Sequence, residues 1–320
     1  MKNLKISVII PTYNRASEIE ATLSSLLLFL DNIQEVIIVD QSTNNKTKKL
    51  IEKMQNKKIK YVYSKIPSIP IARNIGVSHI SKKTQLICFL DDDVSIFKGY
   101  FEEIRKVFEE NSEAKLVAGW ISSPEHTKLE NLLKKLFFLG YLENKDSARI
   151  ISVYGNTYPR KLTKTTNVQW TPGVNMCFKR DVFDEQKFDE NFLGYALGED
   201  IDFTYRLWKK YPKGVFLTPN ARIIHRASQI ERKPTEVLSY INQVDHFYFY
   251  FKNLRDSLKY RLLFFWNIFG ISILRIAQFL LKPNKDNGLK LKFFFKSLFY
   301  CIKNSNKIKK GILRDFIKNG

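Results

Sequence analysis

The chain has 320 residues, 44% of them hydrophobic, which is enough apolar material for one large core or two smaller ones and excludes a mainly disordered protein. The formal net charge of +21 is concentrated in residues 251–320, which hold 16 Lys and Arg against 3 Asp, so a polyanionic partner is expected there. Three widely separated cysteines, without metal-ligand spacing, support neither a disulfide framework nor a zinc site, and they favour a reducing cytosol.

Two kinds of segment alternate along the first 121 residues. β-Branched apolar runs predict strands and amphipathic stretches predict helices, a pattern typical of an α/β domain with a mainly parallel sheet. The first run ends at Pro11 and is too short for a signal-peptide core, so we predict a strand. The predicted strands are residues 5–10, 35–40, 60–64, 85–90 and 115–121. The predicted helices are residues 17–30, with Ser17 as a candidate N-cap, 69–81 and 99–111.

Three consecutive aspartates, Asp91, Asp92 and Asp93, follow the fourth predicted strand. Ligands bind at the carboxyl ends of strands in such sheets, so this position is informative. Clustered carboxylates repel one another near a low-dielectric sheet, and a divalent cation would compensate their charge. Carboxylate oxygens suit Mg²⁺ or Mn²⁺, so we predict a binding site for a divalent metal ion together with a diphosphate. The alternative is a solvated loop or a helix cap.

Five short motifs in a fixed order resemble those of the family 2 glycosyltransferases. The motifs are "VIIPTYNR", "VIIVDQST", "ARNIG", "FLDDD" and "LGEDIDFTYRL". The resemblance implies the GT-A fold, a Rossmann-like and mainly parallel central sheet flanked by helices, here with a C-terminal helical extension that is basic and aromatic. It also implies a hexosyltransferase that moves a sugar from a nucleotide-diphosphate donor to an acceptor hydroxyl with inversion.

The same resemblance implies roles for single residues. Asp200 would be the general base, with Glu199 as a possible second acid. Asp93, Asp91 and His225 would hold the metal, although a lone histidine is often a packed or surface residue, and Asp200 could be an ordinary helix-start acid. Donor binding would fall to Pro11, Thr12, Tyr13, Asn14, Asp40, Arg73, Asp91, Asp92 and Gly173. Gln41 stands where the family usually has a second acid, so a uridine donor is not favoured.

The last quarter of the chain predicts contact with an anionic membrane. Residues 261–281 would form a helix about 30 Å long, enough to span a bilayer. Asn267, Arg275 and Gln278 interrupt its apolar run, which favours a helix lying in the interface. The segment that follows brings lysines and aromatic residues onto one helix, which suits anionic lipid. These are Lys285, Lys292, Lys296, Lys303 and Lys310 beside Phe293, Phe294, Leu298 and Phe299.

The predicted organisation is a catalytic domain at 1–232 and a membrane-associating tail at 233–320. The catalytic domain divides into a nucleotide-sugar-binding half at 1–120 and an acceptor-binding half at 121–232. The resemblance implies a lipid-linked or growing surface glycan as acceptor. We expect a cytoplasmic enzyme attached peripherally to the inner face of the cell membrane. Nucleic-acid binding is disfavoured because no recognised motif accompanies the charge.

Three alternatives stay open at this point. "FLDDDVS" also fits the signature of aspartate-nucleophile phosphatases, in which Asp91 would be the nucleophile, although that motif normally follows a domain's first strand. The tail could be a helical hairpin packed on the catalytic domain with merely solvated lysines, or the chain could be a non-enzymatic module that binds a membrane or a polyanion. The amphipathic segment 126–145 matches no motif.

Overall fold

Twelve strands are present in the computed structural model, which describes residues 4–122, 128–143, 145–152, 155–231 and 233–317. They are β1 Ile6–Thr12, β2 Glu35–Asp40, β3 Ile59–Tyr63, β4 Leu86–Leu90, β5 Val94–Ile96, β6 Leu116–Gly119, β7 Tyr141–Glu143, β8 Thr157–Pro159, β9 Thr166–Asn167, β10 Asn175–Lys179, β11 Val215–Thr218 and β12 Ile223–His225. Eight of them form the central sheet, in the order β3-β2-β1-β4-β10-β6-β11-β9. Two small sheets pair β5 with β12 and β7 with β8.

The central sheet is mainly parallel, as predicted. β1 pairs in parallel with β2 and β4, β2 with β3, and β6 with β11. β10 lies antiparallel between β4 and β6, and β9 is antiparallel to β11. The insertion of β10 separates the first four strands from the β6–β11 pair and was not predicted, since an apolar run does not indicate its partner strands.

Helices cover both faces of the sheet and form the C-terminal part of the chain. They are α1 Ala16–Leu27, α2 Lys46–Met54, α3 Ile69–Ser78, α4 Tyr100–Glu110, α5 Lys128–Leu136, α6 Val182–Glu185, α7 Glu199–Lys210, α8 Thr235–Asn253, α9 Leu258–Leu281, α10 Lys285–Lys303 and α11 Ser305–Lys309. Two 3₁₀ turns occupy Leu30–Asn32 and Asp315–Ile317.

Alternation along the strands divides the core into two layers. Ile6, Val8 and Ile10 of β1 pack into the cluster that α1 and α4 cover, whereas Ile9 belongs to the cluster on the α3 and α7 side. Successive side chains of a strand point to opposite faces, so a run that is apolar throughout is buried on both. This two-sided burial holds the carboxyl ends of β1 and β4 in a fixed position.

Two local predictions differ from the structure. Ser17 lies inside α1, while Arg15 occupies the N-cap position and makes no side-chain capping bond, so the predicted cap is wrong. The reason is Asn14, whose left-handed backbone (φ 54°) turns the chain into the helix before Ser17. Helix α2 was not predicted because its sequence is mostly polar, with only Thr47 and Ile51 buried.

The C-terminal helices pack on the part of the chain that holds the central sheet. Phe247 and Tyr250 of α8 contact the ring of Phe264 on α9, with centroids 4.9 and 4.2 Å apart. Together with α10 they form a third cluster that also includes Phe192 and Tyr205 from the region of α7. The packed arrangement agrees with the helical-hairpin alternative, and the domain boundary at residue 232 stays a prediction.

This packing corrects one part of the membrane expectation. Phe294 and Leu298 are buried in the third cluster and Phe293 is also buried, so the prediction that they face a membrane is wrong. Their apolar side chains serve the contact between α10 and the rest of the protein. Phe299 does stand on the surface, with 69% of the residue exposed.

Candidate active site

A cleft of about 480 Å³ opens at the carboxyl ends of β1 and β4. Its other walls come from the loop before α7, the end of β12, the first half of α8 and Arg314. Strand ends, a helix N-terminus and distant loops therefore meet at one place, as expected for a sheet of this type. The volume lies within the range of typical small-molecule sites.

Asp91, Asp93 and His225 form a cluster in this cleft. One ligand atom from each lies within 4.8 Å of the others, and His225 Nε2 is 3.1 Å from Asp93 Oδ1. The antiparallel pairing of β12 with β5 sets His225 opposite Val94 and so beside Asp93. The structure thus brings together the three residues predicted as metal ligands.

The charged groups of this cluster shift one another's pKa values. Burial raises the pKa of Asp91 to about 7, although the guanidinium of Arg73 opposes the shift; the neighbouring Asp93 adds to it. Burial alone would raise the pKa of Asp93 as well, but hydrogen bonds from His225 and the Ser228 N–H lower it. The hydrogen bond to Asp93 raises the pKa of His225. An ionised Asp91 needs positive charge nearby, and a divalent ion fits that need.

Asp92 is not part of the Asp91, Asp93 and His225 cluster and instead binds residues of the cleft wall. It accepts hydrogen bonds from the Thr12 hydroxyl (2.8 Å) and from Arg15 Nη1 (3.0 Å). Burial raises the pKa of Asp92, despite the opposing effect of Arg15 and Thr12. Arg15 also donates to the carbonyl of Ile230. Arg15 thus connects the loop after β1, the aspartates after β4 and the loop after β12. Arg15 was not among the predicted site residues, although it ends the "VIIPTYNR" motif.

Asp200 is the second residue of α7, and its carboxylate is held by two backbone N–H groups. Gly173 donates to Oδ2 and Ile201 to Oδ1, both at 2.7 Å. Burial and the adjacent Glu199 raise the pKa of Asp200 to about 6, while Arg73 and the two N–H groups oppose the shift. A carboxylate with such a pKa is ionised at neutral pH and still a useful proton acceptor.

Glu199 points to Arg73. Its Oε1 lies 3.1 Å from Arg73 Nη1, and its Oε2 accepts a hydrogen bond from the Gly198 N–H. Arg73 also donates to the Gly173 carbonyl and lies 3.8 Å from Asp91 Oδ1. The buried Arg73 therefore connects the two acidic ends of the cleft, and Glu199 is engaged as its partner.

A side chain at Gly173 would crowd Arg73 and Asp200. A Cβ there would lie 2.9 Å from Arg73 Nη2 and 3.2 Å from the Cβ of Asp200. The position predicted for close approach of the donor is therefore tightly packed against both groups.

Most predicted donor-binding residues line the cleft, but two do not. Asp40 is buried and accepts hydrogen bonds from Ser42 and the Tyr61 hydroxyl, and Asn14 accepts from the Thr43 N–H. Both fix the loop after β2, so any effect on a donor would pass through that loop. Those that line the cleft are Pro11, Thr12, Tyr13, Arg73, Asp91, Asp92 and Gly173, together with Asp93, Glu199, Asp200 and His225.

Sequence reasoning missed the residues that close the far side of the cleft. Val237 and Ile241 of α8 and Arg314 line it. Arg314 forms a buried pair with Asp245 (2.6 Å) and donates to the carbonyl of Leu193, in the loop that leads to α7. These residues lie in the segment predicted as a membrane tail, and no local pattern connects them to the acids.

Known proteins share both sequence and fold with this chain. The family model of glycosyl transferase family 2 matches residues 7–186. A glycosyltransferase of Rickettsia bellii, itself uncharacterized, is 30% identical over 201 residues, which are 62% of this chain and 26% of that protein. The validoxylamine A glucosyltransferase of Streptomyces hygroscopicus subsp. jinggangensis is 26% identical over 63% of this chain and 51% of its own length. The chain spans about half or less of the curated relatives it matches.

Solved structures confirm the GT-A fold. S. aureus TarS has a TM-score of 0.51 and 18% identity over 92% of this chain and 81% of its own. GalNAc-T7 with UDP, GalNAc and Mn²⁺ has a TM-score of 0.56 and 17% identity over 95% of this chain and 58% of its own. A Pyrobaculum calidifontis mannosyltransferase with GDP-Man and Mn²⁺ has a TM-score of 0.53 and 14% identity over 93% of this chain and 75% of its own.

These similarities decide between the alternatives left open by the sequence. The family model covers more than half of the chain, and curated relatives are glycosyltransferases. These findings favour a transferase over a phosphatase or a non-enzymatic module. The chain belongs to glycosyl transferase family 2.

Proposed function

We propose that the chain transfers a sugar from a nucleotide-diphosphate donor to an acceptor hydroxyl with inversion at the anomeric carbon. The observation that carries the proposal is the shared cleft, which Asp91, Asp93, His225 and Asp200 all line. Asp91 and Asp93 would bind a cation in this cleft, and the separate Asp200 would accept a proton. The TarS and mannosyltransferase structures contain UDP-GlcNAc and GDP-Man, which supports a donor of this chemical class.

Asp91, Asp93 and His225 would hold Mg²⁺ or Mn²⁺. Their donor set of two carboxylates and one imidazole fits a divalent ion, and such an ion would favour the ionised form of Asp91, whose pKa burial raises. The two carboxylates suit either ion, because oxygen ligands are preferred by both. When bound, the ion neutralises the charge that develops on the departing diphosphate.

Asp200 would take the proton of the acceptor hydroxyl. As that oxygen bonds to the anomeric carbon, the bond from the sugar to the diphosphate breaks and its electron pair leaves with the phosphate. The N–H groups of Gly173 and Ile201 hold the carboxylate in one orientation, and the start of α7 favours its charged form. Glu199 remains the second choice, since its oxygens already bind Arg73 and Gly198.

The membrane part of the proposal is peripheral attachment. The exposed face of α10 carries Lys292, Lys296 and Lys303 beside Phe299 and Ile302. Basic and apolar side chains on one face suit anionic lipid. We infer a cytoplasmic enzyme at the inner face of the membrane, acting on a lipid-linked or growing surface glycan and not on nucleic acid.

A donor panel tests the chemistry. The 320-residue chain is incubated with UDP-, GDP- and dTDP-linked sugars, with Mn²⁺, Mg²⁺ or a chelator, and nucleotide release is measured. We expect release from one donor class that requires the metal and falls at least about 100-fold in Asp200→Asn. Release that is equal with chelator, or equal in the variant, would overturn the proposed chemistry.

A further inference from the structure

Two helices from different parts of the chain expose apolar stripes. On α5 the exposed leucines are spaced by three and four residues, and on α9 six of the exposed apolar residues recur at spacings of three, four and seven. We call this surface the α5/α9 face. It consists of Leu129, Leu132 and Leu136 on α5 and Leu258, Leu262, Phe265, Phe269, Ile276 and Leu280 on α9.

The two stripes are joined at one point. The indole of Trp266 donates to the carbonyl of Leu136 (3.0 Å), and Asn267 donates to that of Phe137 (2.7 Å). The ring of Phe137 lies against Gly270, where an added Cβ would approach it to 2.2 Å. The end of α5 is therefore fixed to the middle of α9, and the exposed residues of both helices lie on adjoining surface.

The polar residues that interrupt the middle and the second half of α9 lie off this stripe. Asn267 is fully buried, and Arg275 pairs with Gln278 at 3.1 Å. The residues that interrupt the apolar run in the sequence therefore leave the exposed stripe apolar for most of its length. At about 1.5 Å per residue, the stripe from Leu258 to Leu280 is about 33 Å long.

We propose that the α5/α9 face lies flat on an anionic lipid bilayer, with α5 of the acceptor half inserted beside α9. The inference rests on the proposed membrane attachment, adds a second surface to the exposed face of α10, and assigns a role to the segment around α5, which matched no motif. Large apolar residues in contiguous stripes mark interaction surfaces. A lipid surface is favoured over a second copy because exposed basic residues flank both helices, which complements anionic headgroups. They are Lys128, Lys135, Lys259, Arg261 and Lys282.

An in-plane position also fits the packing of α9. By length and composition α9 could cross a membrane, with 22% of its most apolar stretch buried in the protein. However, Phe264 stacks on Tyr250 of α8, and α5 is fixed on another side. A spanning position would break both contacts, whereas a flat position keeps them and leaves the exposed stripe to the lipid.

Vesicle flotation of the full chain tests the inference. Leu132→Asp on α5 and Phe265→Asp on α9 change residues that are 63% and 69% exposed. Leu28→Asp and Phe97→Asp, at exposed apolar positions outside the face, are the matched controls. With phosphatidylcholine vesicles containing phosphatidylglycerol, we expect each face variant to need at least about tenfold more lipid for half-binding. The controls should bind like the wild type.

Several results would contradict the proposed membrane contact of the α5/α9 face. Wild-type binding by Leu132→Asp and by Leu129→Asp would remove α5 from the membrane surface. Equal flotation with pure phosphatidylcholine, or resistance to alkaline carbonate extraction, would exclude flat binding through anionic lipid. Loss of a dimer in the face variants, with lipid binding unchanged, would assign the surface to a second copy. Asp200→Asn must still float, so failure of the proposed chemistry is distinguishable from failure of the membrane surface.

Discussion

Replacing Asp200 with asparagine removes the proposed base while keeping the shape of the side chain. A positioned general base contributes about 10²- to 10⁴-fold to a rate, and we expect turnover to fall within that range. The wild-type rate should follow the ionised fraction of Asp200. With a pKa of about 6, turnover should rise with pH through 6 and level off above 7. The residual rate of Asp200→Asn should lack this inflection.

The stability of the variant separates chemistry from folding. Since burial raises the pKa of Asp200, its ionised form costs stability as the pH rises through 6, and asparagine removes that cost. Against this, the amide loses one of the two hydrogen bonds from Gly173 and Ile201, worth about 1–3 kcal/mol. The two effects oppose each other, so the melting temperature should change little.

The assay is single-turnover sugar transfer or donor hydrolysis between pH 5 and 8, with melting curves at each pH. Glu199→Gln is the matched control, because it weakens the pair with Arg73 but keeps the proposed base; since the charge of Glu199 helps to raise the pKa of Asp200, the inflection should persist and move below pH 6. An inflection that persists in Asp200→Asn and disappears in Glu199→Gln would refute the assignment of the base.

Three further changes test other contacts. Asp93→Ala should weaken Mn²⁺ binding at least about tenfold by calorimetry, because it deletes a predicted ligand; unchanged affinity would exclude Asp93. His225→Ala should lower turnover and raise the Mn²⁺ concentration needed for half-maximal activity, and an unchanged requirement would remove His225 from the site. Arg314→Ala leaves the buried Asp245 without its ion pair, so urea unfolding should show a loss of about 3–5 kcal/mol, and a loss under 1 kcal/mol would contradict a buried pair.

The strands and the acidic cluster were predictable because their signals are local. β-Branched runs fixed β1 to β4 within one or two residues, and the aspartates follow β4 directly in the sequence. Parallel strands end at one edge, so the meeting of Asp91 with the β1 loop follows from topology alone. His225 required the resemblance, since nothing local pairs β12 with β5.

The far wall of the cleft was not predictable because it depends on long-range packing. Arg314 reaches Leu193 and Asp245 across more than sixty residues of sequence, and no periodicity encodes such a contact. The basic tail also led to a wrong prediction. The stripe of lysines suggested that Phe293 and Phe294 face a membrane, whereas the packing of α10 buries both. A helix pattern shows which residues share a face but not which face meets the protein.

Equilibrium binding of nucleotide sugars tests whether the acids of the cleft bind the diphosphate of a donor through a divalent metal ion. Titration of the full chain with the donor panel, with and without Mn²⁺, gives the affinity directly, and Asp93→Ala provides the comparison. We predict that at least one donor binds only with Mn²⁺ or Mg²⁺ and that the variant loses this binding. Binding of no donor in the presence of either metal, or metal-independent binding that Asp93→Ala leaves unchanged, would contradict it.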